Sequence, residues 1–175
     1  MKKIEKIEIV ICIILVLVFG GTTIYSNLAK KEAEANRIDN TVTALNDINR
    51  YLTIDSSVSK YISYVSSKNN DYTYQVLDKN YLEDNNITTV NLFNKIVSYD
   101  LNYRGNAKEI YQVSTYQNIY KYYIKEQISN ETLDTLEFIR YDYFCVTLDE
   151  NNLTFAIMPI TEDDYNTKIG VSNNG

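Results

Sequence analysis

The sequence predicts an α+β protein: a single N-terminal transmembrane helix, then helices packed on one face of a curved, about four-stranded antiparallel sheet. Two observations predict this fold class. Apolar residues first form an unbroken run, then recur at helical spacing, and after Asn102 they alternate as in β-strands. The helical segments also precede the strands instead of alternating with them, so the strands are expected to be antiparallel, with the helices segregated to one side.

The N-terminal segment has the properties of a membrane anchor. No charged residue occurs from Ile9 to Ile24, and extension to Leu28 covers a bilayer core of roughly 30 Å at roughly 1.5 Å per residue. A cleavable signal peptide has a shorter apolar region and small residues before its cleavage site. We therefore predict a short cytoplasmic tail over residues 1–8 and an uncleaved transmembrane helix over residues 9–28. Its representative anchor residues are Ile9, Ile13, Leu15, Leu17 and Phe19.

Basic residues flank this anchor on both sides: Lys2, Lys3 and Lys6 before it, and Lys30, Lys31 and Arg37 after it. The positive-inside count is therefore close to a draw. A short basic tail before one apolar segment usually stays in the cytoplasm while the remainder is exported. We expect a single-pass protein of a bacterial cytoplasmic membrane, embedded in the lipid bilayer, with its N-terminus inside and its C-terminal domain outside.

Composition restricts the function of the exported part. The chain has 17 basic and 23 acidic residues and a net charge of −6, so nucleic acid is not expected as a partner. It has no histidine, which removes the commonest general base and the commonest zinc ligand. We therefore expect no enzymatic activity, no catalytic or metal-binding residues and no cofactor.

After the anchor, the segment LAKKEAEANRIDNTVTALNDINRYL predicts a juxtamembrane amphipathic helix over residues 29–52. Its apolar stripe consists of Ile38, Val42, Leu45, Ile48 and Leu52. Such a stripe has to be covered. It either packs on the sheet of the same domain or forms a stalk, or it pairs with another copy or a partner as a short coiled coil.

An α+β domain is predicted over residues 53–162. Asp55 and Ser56 are typical N-cap residues for a second helix, in which one face carries Val58, Tyr61, Ile62 and Val65. Shorter helices follow in YTYQVLDKNYLEDNN and after Thr88 or Thr89, where Leu92, Phe93, Ile96 and Val97 line one side.

Two hairpins are predicted after these helices. The first consists of KEIYQVSTY and NIYKYYIKEQIS, and the second of FIRYDYFCVTL and LTFAIMPI. The segment SNETLDTLE is expected to connect them with a helical turn. Pro159 lies where the last strand should leave the sheet, and residues 163–175 are expected to be a polar tail.

This order of elements has a known counterpart. The segment SVSKYISYVSSKNNDYTYQVLDKNYLEDNNIT provides a helix with a short following helix, and YFCVTLDENNLTFAIMPI provides the closing hairpin. Over about residues 53 to 162 the chain resembles nuclear-transport-factor-2-like or cystatin-like cone-shaped domains. It is also similar to their membrane-anchored relatives in Gram-positive bacteria, including scaffold domains of conjugation and type IV secretion machines. The resemblance implies a cone-shaped domain outside the membrane.

Tyrosines concentrate in the predicted sheet: Tyr111, Tyr116, Tyr120, Tyr122, Tyr123, Tyr141 and Tyr143. Tyrosine suits protein interfaces and ligand pockets, but it is also intrinsically favoured in strands. Three hypotheses follow. The first is a non-enzymatic interaction or scaffold module, which recruits another membrane or exported protein or a second copy. The second is a cone that binds a small ligand or a cell-wall fragment, and the third is a pilin-like subunit.

Overall fold

The computed structural model describes residues 41–116 and 118–170 and confirms the α+β class, with a five-stranded antiparallel sheet. The strands pair in chain order: β1 Thr43–Ala44, β2 Tyr103–Tyr116, β3 Ile119–Glu131, β4 Leu136–Asp149 and β5 Thr154–Ile160. The helices are α1 Ile48–Ser66, α2 Asn70–Val76, α3 Lys79–Asp84, α4 Leu92–Lys95 and α5 Glu162–Ile169.

The two predicted hairpins are parts of one continuous meander. Strand β3 continues to Glu131 and β4 begins at Leu136, so the predicted helical connector between them is wrong. A tight turn replaces it, in which the Thr132 N–H donates to the carbonyl of Thr135 at 2.9 Å. Polar residues are tolerated here because the end of this hairpin is exposed to solvent. The fifth strand is the short β1, which the helical spacing of its surroundings concealed.

The described part of the predicted helix over residues 29–52 also differs from the structure. Thr43 and Ala44 form β1, which pairs with Gln112 and Tyr111 of β2. Helix α1 begins only at Ile48, because the Asp47 side chain caps it by accepting from the Arg50 N–H at 2.9 Å. The predicted N-cap residues Asp55 and Ser56 therefore lie inside α1 instead of before it.

Helix α1 provides most of the helical side of the core. Its buried side chains are Ile54, Val58, Tyr61, Ile62 and Val65, four of which the spacing predicted. They pack on alternate sheet residues such as Ile124 and Ile128, both fully buried. The Tyr61 and Phe144 rings make an edge-to-face contact with centroids 5.8 Å apart. This face of the sheet, called here the helix-covered face, is filled by side chains beneath α1.

Polar side chains of α1 close the outer edge of β2, where β1 is too short to do so. The Tyr51 hydroxyl donates to the Ala107 carbonyl and Asp55 Oδ1 accepts from the Ala107 N–H, both at 2.7 Å. Ser59 donates to the Gly105 carbonyl at 3.3 Å. The helix therefore satisfies backbone groups that a bare edge strand would leave available for pairing with another chain.

The opposite face of the sheet carries α5, so the helices do not all pack on one face as predicted. The predicted polar tail over residues 163–175 therefore begins with a helix, because Thr161 and Asp164 make a reciprocal capping box at the start of Glu162–Ile169. Gly170 ends it with a φ of +79°, which glycine adopts without strain. Tyr165 anchors the helix and is only 2% exposed.

The predicted membrane anchor lies outside the described residues. This applies to residues 9–28, to the anchor positions Ile9, Ile13, Leu15, Leu17 and Phe19, and to Ile38 of the apolar stripe. Among the helices of residues 41–116 and 118–170, none combines the length and the apolar character that a membrane span requires.

Gly105 tests the packing between α1 and the sheet. A Cβ added there would lie 2.3 Å from Glu126 Oε1 and 2.5 Å from Ile62 Cδ1, two side chains that are fully buried. We predict that Gly105→Ala lowers the free energy of unfolding by about 1–3 kcal/mol through overpacking, measured by denaturant titration.

Combination with Glu126→Ala, which removes the nearer contact, should recover part of this loss in a double-mutant cycle. Unchanged stability of Gly105→Ala would contradict the close approach. Asn106→Ala, at the neighbouring exposed position of the same strand, is the matched control.

Candidate interaction site

The sheet divides the predicted tyrosines between its two faces. Ile110 pairs with Ile124 on the helix-covered face, and Tyr111 pairs with Tyr123 on the opposite face. Alternation then assigns Tyr120 and Tyr122 to the helix-covered face, and Tyr141 and Tyr143 to the opposite one. The seven residues therefore do not form one surface. The side chain of Tyr116 lies outside the described part of the structure.

The two tyrosines of the helix-covered face, Tyr120 and Tyr122, pack in or against the core. Tyr122 is 1% exposed and belongs to the core, so it does not contribute to a surface, and burial raises its pKa to about 12. Tyr120 is half-buried against the same core. The guanidinium of Arg50 lies over the Tyr120 ring, 5.8 Å from its centroid, and also pairs with Glu150.

Helix α5 engages two tyrosines of the opposite face. The Tyr165 ring lies with its centroid 5.0 Å from that of Tyr143 and 6.4 Å from that of Tyr111. The Tyr143 hydroxyl donates to Glu162 Oε1 at 2.7 Å. Tyr111 and Tyr143 therefore pack against α5 of the same chain.

Tyr123 and Cys145 lie beside each other on this face. Tyr123 pairs with Cys145 across β3 and β4, and burial raises the pKa of Tyr123 to about 12. Burial also raises the pKa of the Cys145 thiol to about 11. A thiol with such a pKa is almost fully protonated near neutral pH and is a weak nucleophile. The pair is therefore a packing contact of the sheet.

Tyr141 is different, because it is 41% exposed and borders a cluster of exposed apolar side chains. The cluster occupies the end of the β3–β4 hairpin and is called here the hairpin end: Leu133, Leu136, Phe138, Ile139 and Tyr141. The Phe138 and Tyr141 rings contact each other with centroids 5.0 Å apart. Lys125 lies over the Tyr141 ring, 4.7 Å from its centroid. Single exposed apolar residues are ordinary, whereas a contiguous group indicates a contact surface.

The described residues of the predicted helix-pairing stripe also separate. Val42 and Leu45 precede α1 and are half-buried, with Leu45 packed on the core. Ile48 and Leu52 lie in the first turns of α1 and are 74% and 58% exposed. A continuous helical stripe therefore does not exist over residues 42–52, although its last two members remain available for contact.

The most unusual buried group is Glu126 on β3. It is fully buried, and neither carboxyl oxygen has a hydrogen-bond partner among the described residues. Burial, and secondarily the negative charges of Asp55 and Asp142, raise its pKa to about 9. The carboxyl is therefore predominantly protonated at neutral pH.

The neighbours of Glu126 explain why it stays unpaired. Asp55 is engaged with the Ala107 N–H. Asp142 accepts from the Tyr99 hydroxyl at 2.8 Å and from Arg140 Nε at 2.8 Å, so this carboxylate is already paired with Arg140. Ile124 and Ile128, two residues away on the same strand, place Glu126 on the buried face by alternation. The sequence contained this signal, since a carboxylate occupies the middle of an apolar alternating set.

The hairpin end was missed at the sequence level, apart from Tyr141. Leu133 and Leu136 lie in the segment predicted to be a connector, and Phe138 lies in a predicted strand. The consecutive apolar pair Phe138 and Ile139 breaks the alternation, which could have indicated the irregular pairing of β4 opposite Ile128 and Ser129.

In the described part of the chain, no three His, Cys, Asp or Glu side chains lie close enough to hold a metal ion together. Comparison with known proteins finds no matching family model, no similar curated protein and no similar solved structure. The geometry of the described residues is thus the basis for assigning a function.

Glu126 predicts an unusual dependence of stability on pH. Its pKa is raised in the folded state from an ordinary value of 4.5 to about 9, so its favourable contribution is complete below 4.5 and is lost as pH rises toward 9. Glu126→Gln, which cannot ionise, should raise the free energy of unfolding at pH 7 by up to about 3 kcal/mol.

Chemical denaturation at pH 5, 7 and 8.5 measures this effect, and the gain should grow with pH. Glu137→Gln, at an exposed position of the neighbouring strand, should show no such trend. Parallel pH profiles for Glu126→Gln and the unmodified protein would contradict the raised pKa.

Proposed function

We propose that this chain is a bitopic, membrane-anchored, non-enzymatic protein-interaction module. In this proposal, residues 9–28 anchor it in a bacterial cytoplasmic membrane and the α+β domain lies on the outer face. The single observation that carries the proposal is the hairpin end, where five large apolar side chains within residues 133–141 are exposed and the Phe138 and Tyr141 rings contact each other. Burial of each such side chain by a partner would contribute about 1.5–3 kcal/mol before the costs of association.

The hairpin end lies far from the point where the described chain enters the sheet, which suits a surface that recruits a partner. The described chain enters the sheet at Thr43, which pairs with Gln112, and Gln112 pairs with Tyr122 of β3. From Tyr122 to Glu131 the strand covers about 30 Å at roughly 3.3 Å per residue. A partner at the hairpin end therefore binds far from the segment that joins the domain to the proposed anchor.

Charge at the hairpin end restricts the partner. Arg104 pairs with Glu131 at 2.8 Å and Arg140 pairs with Asp142, so both nearby guanidinium groups are neutralised within the domain. Asp134 and Glu137 are exposed and add negative charge. An apolar segment with basic flanks fits this surface, whereas an anionic lipid surface or nucleic acid would be repelled.

The filled helix-covered face supports this proposal over a ligand-binding cone. Ligand sites are concave and combine an apolar cavity with a few convergent polar groups. Beneath α1 the face is instead filled, because the Tyr61 ring contacts the Phe144 ring and Ile54 and Ile124 are fully buried. The open space between α1, α2 and β5 is a groove at the edge of this face. A place in a secretion or conjugation assembly is proposed from the resemblance of element order and agrees with a recruiting role.

A photo-crosslinking amino acid at position 138 tests the proposal. In intact cells that carry the full chain, we expect a crosslinked product of defined mass, because Phe138 lies at the centre of the hairpin end. The same amino acid at Leu153, an exposed leucine in the β4–β5 turn, should give no such product.

Two further observations make this experiment decisive. Leu136→Ser should reduce the yield at position 138 at least ten-fold without loss of folded protein, because Leu136 is already exposed. Protease added outside intact cells should digest the crosslinked product if the domain is exported. Equal crosslinking at positions 138 and 153 would argue against a specific surface, and resistance to protease would argue against the proposed topology.

A further inference from the structure

The last strand of the sheet, β5, has an incompletely covered outer edge. It is the terminal strand in the order of pairing, and the one backbone bridge on its outer side among the described residues joins Ile157 to Leu77. In this bridge the Asp78 N–H donates to the Ile157 carbonyl at 2.9 Å. The part of the β5 edge that precedes Ile157 has no such bridge among the described residues.

Alternation shows which backbone groups of β5 face outward. The outward carbonyl of Ile157 implies that Phe155 and Pro159 present their backbone groups to the same side. Proline at position 159 has no N–H to leave unpaired there, as is typical of an edge strand. Phe155 lies on the other side of the Ile157 bridge, so its N–H and carbonyl face the open part of the edge.

A groove runs beside this open edge. It lies between β5 and helices α1 and α2, and its volume is about 440 Å³. Its lining includes the apolar side chains of Leu52, Val76, Phe155 and Ile157 and the ring of Tyr64. Its volume falls in the range of pockets that hold a few side chains.

Charge complementarity indicates what fits the groove. Lys60 is the one charged residue among the described residues that line it, and the remaining polar lining consists of hydroxyl groups. Lys60 is exposed and stands out on a chain whose net charge is −6. An occupant with a carboxylate near Lys60 would therefore be favoured, and a basic occupant would not.

We propose that this groove binds an extended, apolar peptide segment of a partner protein by strand addition to β5, with a carboxylate of the peptide beside Lys60. The added strand pairs with the backbone of Phe155, and every second side chain points into the groove. This site is separate from the hairpin end, which consists of β3 and β4, so the domain can hold two different partners. The inference does not depend on the function proposed for the hairpin end.

Selection of peptides from a phage-displayed random dodecamer library, against the full chain in detergent, tests this proposal. We expect enriched peptides that alternate apolar residues and carry an acidic residue or a free carboxyl terminus at one end. N-methylation of a central backbone amide in the best synthetic peptide should abolish binding, because it removes a strand hydrogen bond.

Variants of the full chain locate the binding site. Lys60→Glu should weaken binding of the acidic peptide at least ten-fold and improve binding of a matched peptide that carries lysine at that position. Leu52→Ser should weaken both peptides, and the control Leu153→Ser should weaken neither. All three positions are exposed, so folding is expected to persist.

Three results would overturn the proposal. The first is a library from which no peptide is enriched. The second is binding that is insensitive both to N-methylation and to Lys60→Glu. The third is sedimentation of the full chain as a dimer that Leu52→Ser or Lys60→Glu converts to a monomer, because the occupant would then be a second copy. The crosslink at position 138 is measured in a separate experiment. A negative result for the groove can therefore be distinguished from a negative result for the hairpin end.

Discussion

The structure depends on the contact between α1 and the sheet. One side of this helix fills the core through Val58, Tyr61 and Ile62, and side chains at its border hydrogen-bond the exposed edge of β2. Burial of three such side chains contributes about 5–9 kcal/mol against exposure to water, which is comparable to the net stability of a small domain. Helix α1 thus both stabilises the core and covers the edge of β2.

This arrangement influences where a function can reside. The helix fills the face of the sheet beneath it, and the buried Glu126 has no hydrogen-bond partner among the described residues. Its closest charged neighbours, Asp55 and Asp142, are occupied in hydrogen bonds that hold the fold. The two surfaces proposed for partners lie at the periphery of the sheet, namely the end of one hairpin and the edge of the last strand.

The sequence predicted the parts of the fold that periodicity determines. The buried face of α1 and strands β2 to β5 follow from apolar spacing, because burial selects one face of a helix or strand. Helix α5 was not predicted, since EDDYNTKI carries few apolar residues. Its signals were local ones, the Thr161 and Asp164 capping box and the terminal Gly170. The start of α1 was misplaced because apolar spacing at Val42 and Leu45 also suits an extended segment packed on a core.

The candidate site was harder to predict than the fold, because exposure depends on which residues the tertiary structure leaves uncovered. Tyrosine content indicated a surface, yet Tyr122 is in the core and Tyr111 supports α5. Only the three-dimensional arrangement shows that Tyr141 lies beside Phe138. A resemblance based on element order gives no information at this level, since fold alone does not determine function.

Hydrogen exchange of the full chain in detergent tests most directly whether α1 is a permanent part of the core. The account predicts that amides from Val58 to Val65 and from Tyr122 to Ile128 exchange together at the slowest rate, set by global unfolding. Amides from Glu131 to Leu136 should exchange faster, through local opening of the hairpin end. Much faster exchange in α1 than in β3 would contradict the account, because a helix that leaves the sheet would open a cavity suited to a ligand.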